Sequence, residues 1–190
     1  KSANLPSLAT STQILSKDEN AGSILYFPLV CLLDIGDIDH TFFHEHRHVI
    51  ETGSNGCGLK TKHGGVYSLI NEVHTEVDSL HDLAKLSGKV LWGQDKSTLR
   101  NAYQDLFPYV LDFFIGNRDL LNTLALYNNT ELLEEIFGTD SLLKLEFFME
   151  ELYEKVMQGT EFYSSEKITE GKKLIKTLDE NAYSYFRKID

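Results

Sequence analysis

Three histidines stand at alternate positions in the segment FFHEHRHVIE, which spans residues 42–51. Two of them, His44 and His48, enclose Glu45 in the pattern H-E-x-x-H. Side chains four residues apart share one face of a helix, so these two histidines can offer imidazole nitrogens to one metal ion. Glu45 lies beside them, where a carboxylate can accept a proton from a metal-activated water. The pattern therefore predicts metal-assisted hydrolysis.

The histidine spacing also allows a second ligand pair, because His40 precedes His44 by four residues. Either pair needs a third protein ligand, since catalytic zinc sites commonly combine three protein ligands with one open position. The segment NEVHTE at 71–76 supplies two candidates on the next predicted helix, Glu72 and Glu76. Four residues separate these carboxylates, so they lie on one helix face, where one can reach the metal and the other can fix a ring N–H.

Together the two segments resemble the gluzincin metallopeptidases, the thermolysin-like clan of zinc proteases, in which H-E-x-x-H precedes N-E-x-x-S/T-D/E. The resemblance covers residues 37–88, including a glycine-rich segment similar to that of several uncharacterised bacterial zincins. It implies zinc as the cofactor and a peptide or protein as the substrate. The residue roles that it implies are zinc ligation by His44, His48 and Glu72, general-base catalysis by Glu45, and support of a histidine ligand by Glu76.

A hydrolase of this kind also needs a hydrogen-bond donor for the negative charge that develops on the substrate carbonyl oxygen. The candidates are Tyr67, His74, His81 and Tyr103. No motif fixes the choice, and we favour Tyr103 as a catalytic residue because it lies on a helix beyond the ligand helix.

Two further functions fit parts of the sequence. Glu45 and His48 also form E-x-x-H, and Asp78 and His81 form D-x-x-H, a combination that resembles carboxylate-bridged di-iron helical proteins. The other alternative is a non-enzymatic helical interaction domain whose acidic C-terminal half docks a basic partner.

The elements that must position these residues follow from apolar patterning. The apolar and β-branched segment 24–35 predicts one or two strands that end at Gly36. Asp37 or Asp39 is then the expected N-cap of a helix over 40–52, because its carboxylate can accept from the first-turn amides.

Beyond this helix, the five glycines in 52–65 predict a loop with one short strand near Leu59. Apolar residues at spacings of three and four predict a second helix over 66–88. The same periodicity predicts helices over 97–115, 117–128, 130–137, 140–158 and 165–187.

The predicted fold class is α+β and mostly α. We expect a metal-site subdomain in residues 1–88, with a small N-terminal β element, an active-site helix and a ligand helix; the resemblance implies a zincin-like core there. A C-terminal helical subdomain is expected in residues 89–190.

The composition excludes some classes of protein. A chain of 190 residues with 42% hydrophobic residues can bury a core, and a net charge of -11 argues against nucleic-acid binding. The longest apolar run, 24–33, is too short to span a membrane. The first residue is Lys1, so we expect that an upstream part is missing.

The two cysteines, Cys31 and Cys57, are too few for a disulfide scaffold. They leave the compartment open between the bacterial cytoplasm and secretion. Cys57 with His63 also has the composition of a cysteine nucleophile and its base, although nothing in the loop orients the pair.

Overall fold

The computed structural model describes residues 10–13, 23–26, 35–53, 56–59, 67–87, 110–157 and 164–189. Within these ranges the chain is mostly helical, which confirms this part of the predicted fold class. The helices are α1 Ile35–Ile50, α2 Ser68–Ser87, α3 Val110–Gly116, α4 Arg118–Leu126, α5 Thr130–Phe137, α6 Thr139–Met157 and α7 Ser165–Phe186.

Two short antiparallel strand pairs accompany the helices. Strand β1 (Thr10–Gln13) pairs with β2 (Ser23–Tyr26), and both strands lie against α1. Strand β3 (Thr52–Gly53) pairs with β4 (Gly56–Cys57) in a tight hairpin that directly follows α1. The short strand predicted near Leu59 is therefore wrong in position, since Leu59 lies in a turn after β4.

The described helix bounds agree well with the apolar periodicity, apart from the start of α1. The predicted helix over 97–115 is seen from Val110 onward as α3, and residues 97–109 lie outside the described ranges. The last four helices begin and end within two residues of the predicted bounds. However, α1 begins at Ile35, so the predicted strand end at Gly36 and the predicted caps Asp37 and Asp39 are wrong. The first amides of a helix lack intrahelical acceptors, and glycine or aspartate is tolerated among them.

One apolar core joins α2 to the C-terminal helices. Its fully buried members include Tyr67, Ile70 and Val73 in or next to α2, and Phe114, Leu121, Leu133 and Leu145 beyond it. The predicted subdomain boundary between residues 88 and 89 lies outside the described residues and stays a prediction.

The beginning of α2 is fixed by a side chain from another helix. The first turn of α2 contains no acidic residue, and the Glu146 carboxylate of α6 accepts hydrogen bonds from the Leu69 and Ile70 amides at 2.7 and 2.9 Å. The adjacent Tyr67 hydroxyl donates to Glu134 at 2.8 Å. These contacts hold the predicted ligand helix on the C-terminal helical layer.

None of the helices in the described part of the chain combines the length and the apolar character that a membrane span needs.

Candidate metal centre

Helices α1 and α2 pack side by side and bring three predicted zinc ligands together. The Nε2 atoms of His44 and His48 are 3.1 Å apart. The Oε2 atom of Glu72 lies 3.4 Å from the first nitrogen and 3.3 Å from the second. The three potential ligand atoms therefore form a nearly equilateral triangle.

The size of this triangle fits a tetrahedral zinc ion. Zinc binds histidine nitrogen and carboxylate oxygen at about 2.0–2.1 Å, which places two tetrahedral ligand atoms ~3.3 Å apart. The Glu72 side chain is 27% exposed, whereas the His48 side chain is only 10% exposed, so the cluster is partly accessible from the side of Glu72. The residues present thus suit a zinc site with one open position.

Glu76 occupies the position expected of a supporting acid. It is buried, and its Oε2 atom lies 2.8 Å from Nδ1 of His44. Since an ionised carboxylate only accepts, this contact places the ring proton on Nδ1 of His44 and leaves the Nε2 lone pair for a metal. Of the two carboxylates on α2, Glu72 therefore faces Nε2 of His44, where it could bind a metal, and Glu76 contacts Nδ1 of the same ring.

The electrostatics of the cluster favour a positive charge between the two rings. Burial lowers the pKa of His44, but hydrogen bonds to Glu72 and Glu76 outweigh it and raise the pKa to about 9. Burial raises the pKa of Glu72, yet hydrogen bonds with both histidines hold it well below the usual range. Two carboxylates facing two imidazoles meet the charge requirement of a cation site.

Glu45, the predicted general base, is half-buried on α1. Within the described ranges its carboxylate has no hydrogen bond or ion pair. It adjoins His44 in the sequence, about 100° further around the helix.

The alternative ligand pair of His40 and His44 stays a prediction, because the side chain of His40 lies outside what the structure describes. His44 and His48 face Glu72, whereas His40 is described only as a part of the α1 backbone. His46 is exposed on another face of α1, where its ring stacks on Phe42 with centroids 5.7 Å apart. Cys57 and His63, the predicted nucleophile pair, fall outside the described side chains.

Three of the four candidate oxyanion donors have other neighbours. The Tyr67 hydroxyl donates to Glu134, and His81 Nδ1 accepts from Arg118 at 2.8 Å. Nε2 of the buried His74 lies 3.5 Å from the Glu51 carboxylate. The favoured candidate, Tyr103, lies outside the described residues and stays a prediction.

The contacts of two asparagine side chains near the candidate metal centre were not predicted from the sequence. The Asn71 side chain accepts from the Leu59 amide at 2.8 Å, and Asn128 donates to the carbonyl oxygens of Glu51 and Gly58 at 2.7 and 3.2 Å. These contacts hold the β3–β4 hairpin on α2 and α4. The asparagine that precedes the ligand Glu72 was a signal for the first contact, whereas no motif marks Asn128.

Comparisons with protein-family models, curated proteins and solved structures find no match for this chain. The resemblance to gluzincins therefore rests on the two segments that converge at the centre.

Proposed function

We propose that this protein is a zinc-dependent metallopeptidase. The observation that carries the proposal is the triangle of His44 Nε2, His48 Nε2 and Glu72 Oε2, with edges of 3.1, 3.3 and 3.4 Å. A zinc ion in such a site polarises a substrate carbonyl and lowers the pKa of a bound water.

The protein's own residues divide the remaining work. His44, His48 and Glu72 hold the ion, and Glu76 keeps the His44 ring in the required tautomer. Glu45 takes the proton from the attacking water and returns it to the leaving amine, as a general base that then acts as a general acid. The substrate is a peptide or protein.

A zincin-like core with a small N-terminal β element belongs to the same proposal. Its support is the β1–β2 pair against α1, which places an extended segment beside the helix that contains His44 and His48.

The charges around Asp78 and His81 disfavour the di-iron alternative. Asp78 is fully buried and pairs with Arg47 and Arg118, and His81 accepts from the same Arg118 guanidinium. Two guanidinium groups beside Asp78 repel a second metal cation. The interaction-domain alternative has no specific contact in its favour.

The proposal is tested by metal content and hydrolysis together. Protein purified with zinc is expected to contain one zinc per chain and to cleave fluorescent casein or a quenched-fluorescence peptide library. Glu45→Gln is expected to retain zinc and lose at least ~100-fold in hydrolysis, the scale of a missing general base. Glu135→Gln, which changes an exposed glutamate on α5, serves as the control.

Absence of zinc from the folded wild type would overturn the metal centre. Bound zinc without hydrolysis of either substrate would overturn the peptidase activity alone. Loss of zinc from Glu45→Gln would show that Glu45 is a ligand rather than the base.

A further inference from the structure

An ion network with the buried Asp78 at its centre and partly buried partners around it crosses the same two helices within a turn of the candidate metal centre. Arg47 precedes the ligand His48 on α1, and Asp78 follows Glu76 by two residues on α2. The Asp78 carboxylate is fully buried and lies between two guanidinium groups, 2.7 Å from Arg47 and 3.0 Å from Arg118 of α4. The network therefore ties both ligand helices to α4.

Arg47 has further partners on α2 and α4. It forms an ion pair with Asp82 on α2 and donates to the Asn122 side chain of α4 at 3.2 Å. Arg118 also pairs with the exposed Asp119, so the network contains two arginines and three aspartates, and the Arg47 side chain within it is 11% exposed. Each helix contributes a directional partner to this arrangement.

Buried ion networks of this type are poor sources of stability. Removing charges from water costs several kcal/mol per ion, and apolar replacements of similar volume are often neutral or stabilising. Removing one partner alone is destabilising, because it leaves an unpaired buried charge. The Arg47–Asp78–Arg118 network therefore has a role that packing alone does not fulfil.

The candidate metal centre requires a fixed position of α1 relative to α2, because its candidate ligands come from both helices. Metal–ligand distances are fixed to within about 0.2 Å, whereas a one-residue shift along a helix moves a side chain by about 1.5 Å and 100°. Apolar contacts are non-directional and set no unique register. Hydrogen bonds from guanidinium to carboxylate groups are directional and do set one. Arg47 donates such a bond to Asp82 of α2 and Arg118 donates one to Asp78, while Arg47 and Asp78 form an ion pair.

We propose that Arg47 and Asp78 are positioning residues of the metal centre. They fix the register of α1 on α2 so that His44 and His48 meet Glu72. The network thereby raises metal affinity without adding to the stability of the fold. This inference rests on the proposed zinc site.

The test replaces the network by apolar groups of similar size, in the variant Arg47→Met/Asp78→Leu/Arg118→Met. With chelator present, its thermal midpoint is expected to equal or exceed that of the wild type. Its zinc affinity, measured by competition with a chromophoric chelator, is expected to fall about 10- to 100-fold, the usual effect of disturbing groups behind metal ligands. The visible spectrum of bound Co²⁺ is expected to change.

The chain offers a matched control at its surface. Glu151 pairs with Lys155 at 2.6 Å and Lys167 at 2.5 Å, which reproduces an acid between two cations on α6 and α7. The variant Lys155→Met/Glu151→Leu/Lys167→Met is expected to keep wild-type zinc affinity and the wild-type Co²⁺ spectrum.

A folded triple variant with wild-type affinity and an unchanged Co²⁺ spectrum would overturn the inference. If the triple variant does not fold, Arg47→Lys decides the question, since it keeps the charge but loses the planar fork. We expect it to fold with reduced zinc affinity and an altered spectrum, and wild-type values would overturn the inference.

These readouts use the metal alone, so a failure of peptidase activity leaves them interpretable. A wild-type protein that binds zinc without cleaving peptides contradicts the proposed reaction and not the positioning role. A wild-type protein that binds no zinc overturns both.

Discussion

Nδ1 of His44 and Oε2 of Glu76 are 2.8 Å apart, in a hydrogen bond that joins α1 to α2. Glu72, four residues earlier on α2, faces the opposite nitrogen of the same ring. The two glutamates therefore act on the two sides of one imidazole, and they are not equivalent. One is placed to bind a cation and the other to orient the ring.

This division predicts an order of zinc loss. Glu72→Ala is expected to cause the greatest loss of affinity, because it removes a charged ligand. Glu76→Ala is expected to lose about 10- to 100-fold, because it frees the His44 ring to rotate and change tautomer. A chelator titration measures both, with Glu135→Gln, a change at an exposed glutamate of α5, as the control that keeps wild-type affinity. Wild-type affinity in Glu72→Ala would contradict the ligand assignment.

The register of the histidine pair gives a second prediction. His48→Asn is expected to abolish zinc binding, since its Nε2 atom is one corner of the ligand triangle. His46→Asn is expected to leave zinc in place, because this ring is exposed and stacks on Phe42. Zinc content of the purified variants measures the difference. An empty site in His46→Asn would show that the ligand register is wrong.

The packing of the β3–β4 hairpin predicts that a substitution at Gly58 strongly lowers the stability of the protein. A Cβ atom there would lie 2.0 Å from Asn71 Oδ1, and the φ of +60° is unfavourable for other residues. We expect Gly58→Ala to lower the free energy of unfolding by at least about 2 kcal/mol in urea titrations.

Gly116→Ala is the matched control for this change. A Cβ atom at Gly116 meets nothing within 4 Å, so we expect a change of less than about 1 kcal/mol. Equal unfolding free energies for the two alanine variants would contradict the packing of Gly58 against Asn71.

The candidate ligands were predictable from the sequence because their geometry is local. Residues four apart share a helix face in any fold, so the spacing predicted that His44 and His48 lie on one face of α1 and that Glu72 and Glu76 lie on one face of α2. The choice of Glu72 as the third candidate ligand came from the resemblance to gluzincins. The sequence also placed the last four helices well, because their apolar periodicity is regular.

The residues that hold the ligand helices in place were not predictable, because they are distant in the chain. Glu146 caps α2 from 77 residues away, and Asn128 reaches the Glu51 carbonyl across the same separation. In the sequence alone, Arg47 and Asp78 are typical of the polar positions of amphipathic helices. Only the packed structure shows that they meet and that Asp78 is fully buried.

Glu146 predicts a pH dependence of stability. Burial, together with the charge of the nearby Glu150, raises its pKa to about 7. Hydrogen bonds from the Leu69 and Ile70 amides oppose this rise. Between its ordinary value of 4.5 and about 7, the folded protein binds a proton that the unfolded chain releases. The contribution to stability is therefore complete below this window and is lost as the pH rises through it.

We expect the free energy of unfolding to fall by about 2–3 kcal/mol more in the wild type than in Glu146→Gln between pH 5 and pH 8. Glutamine does not titrate, so the comparison isolates this carboxyl from all other groups. Urea titrations with chelator present keep metal binding out of the measurement. Parallel pH profiles for the two proteins would show that Glu146 is already ionised at pH 5 and that its hydrogen bonds to the start of α2 outweigh its burial.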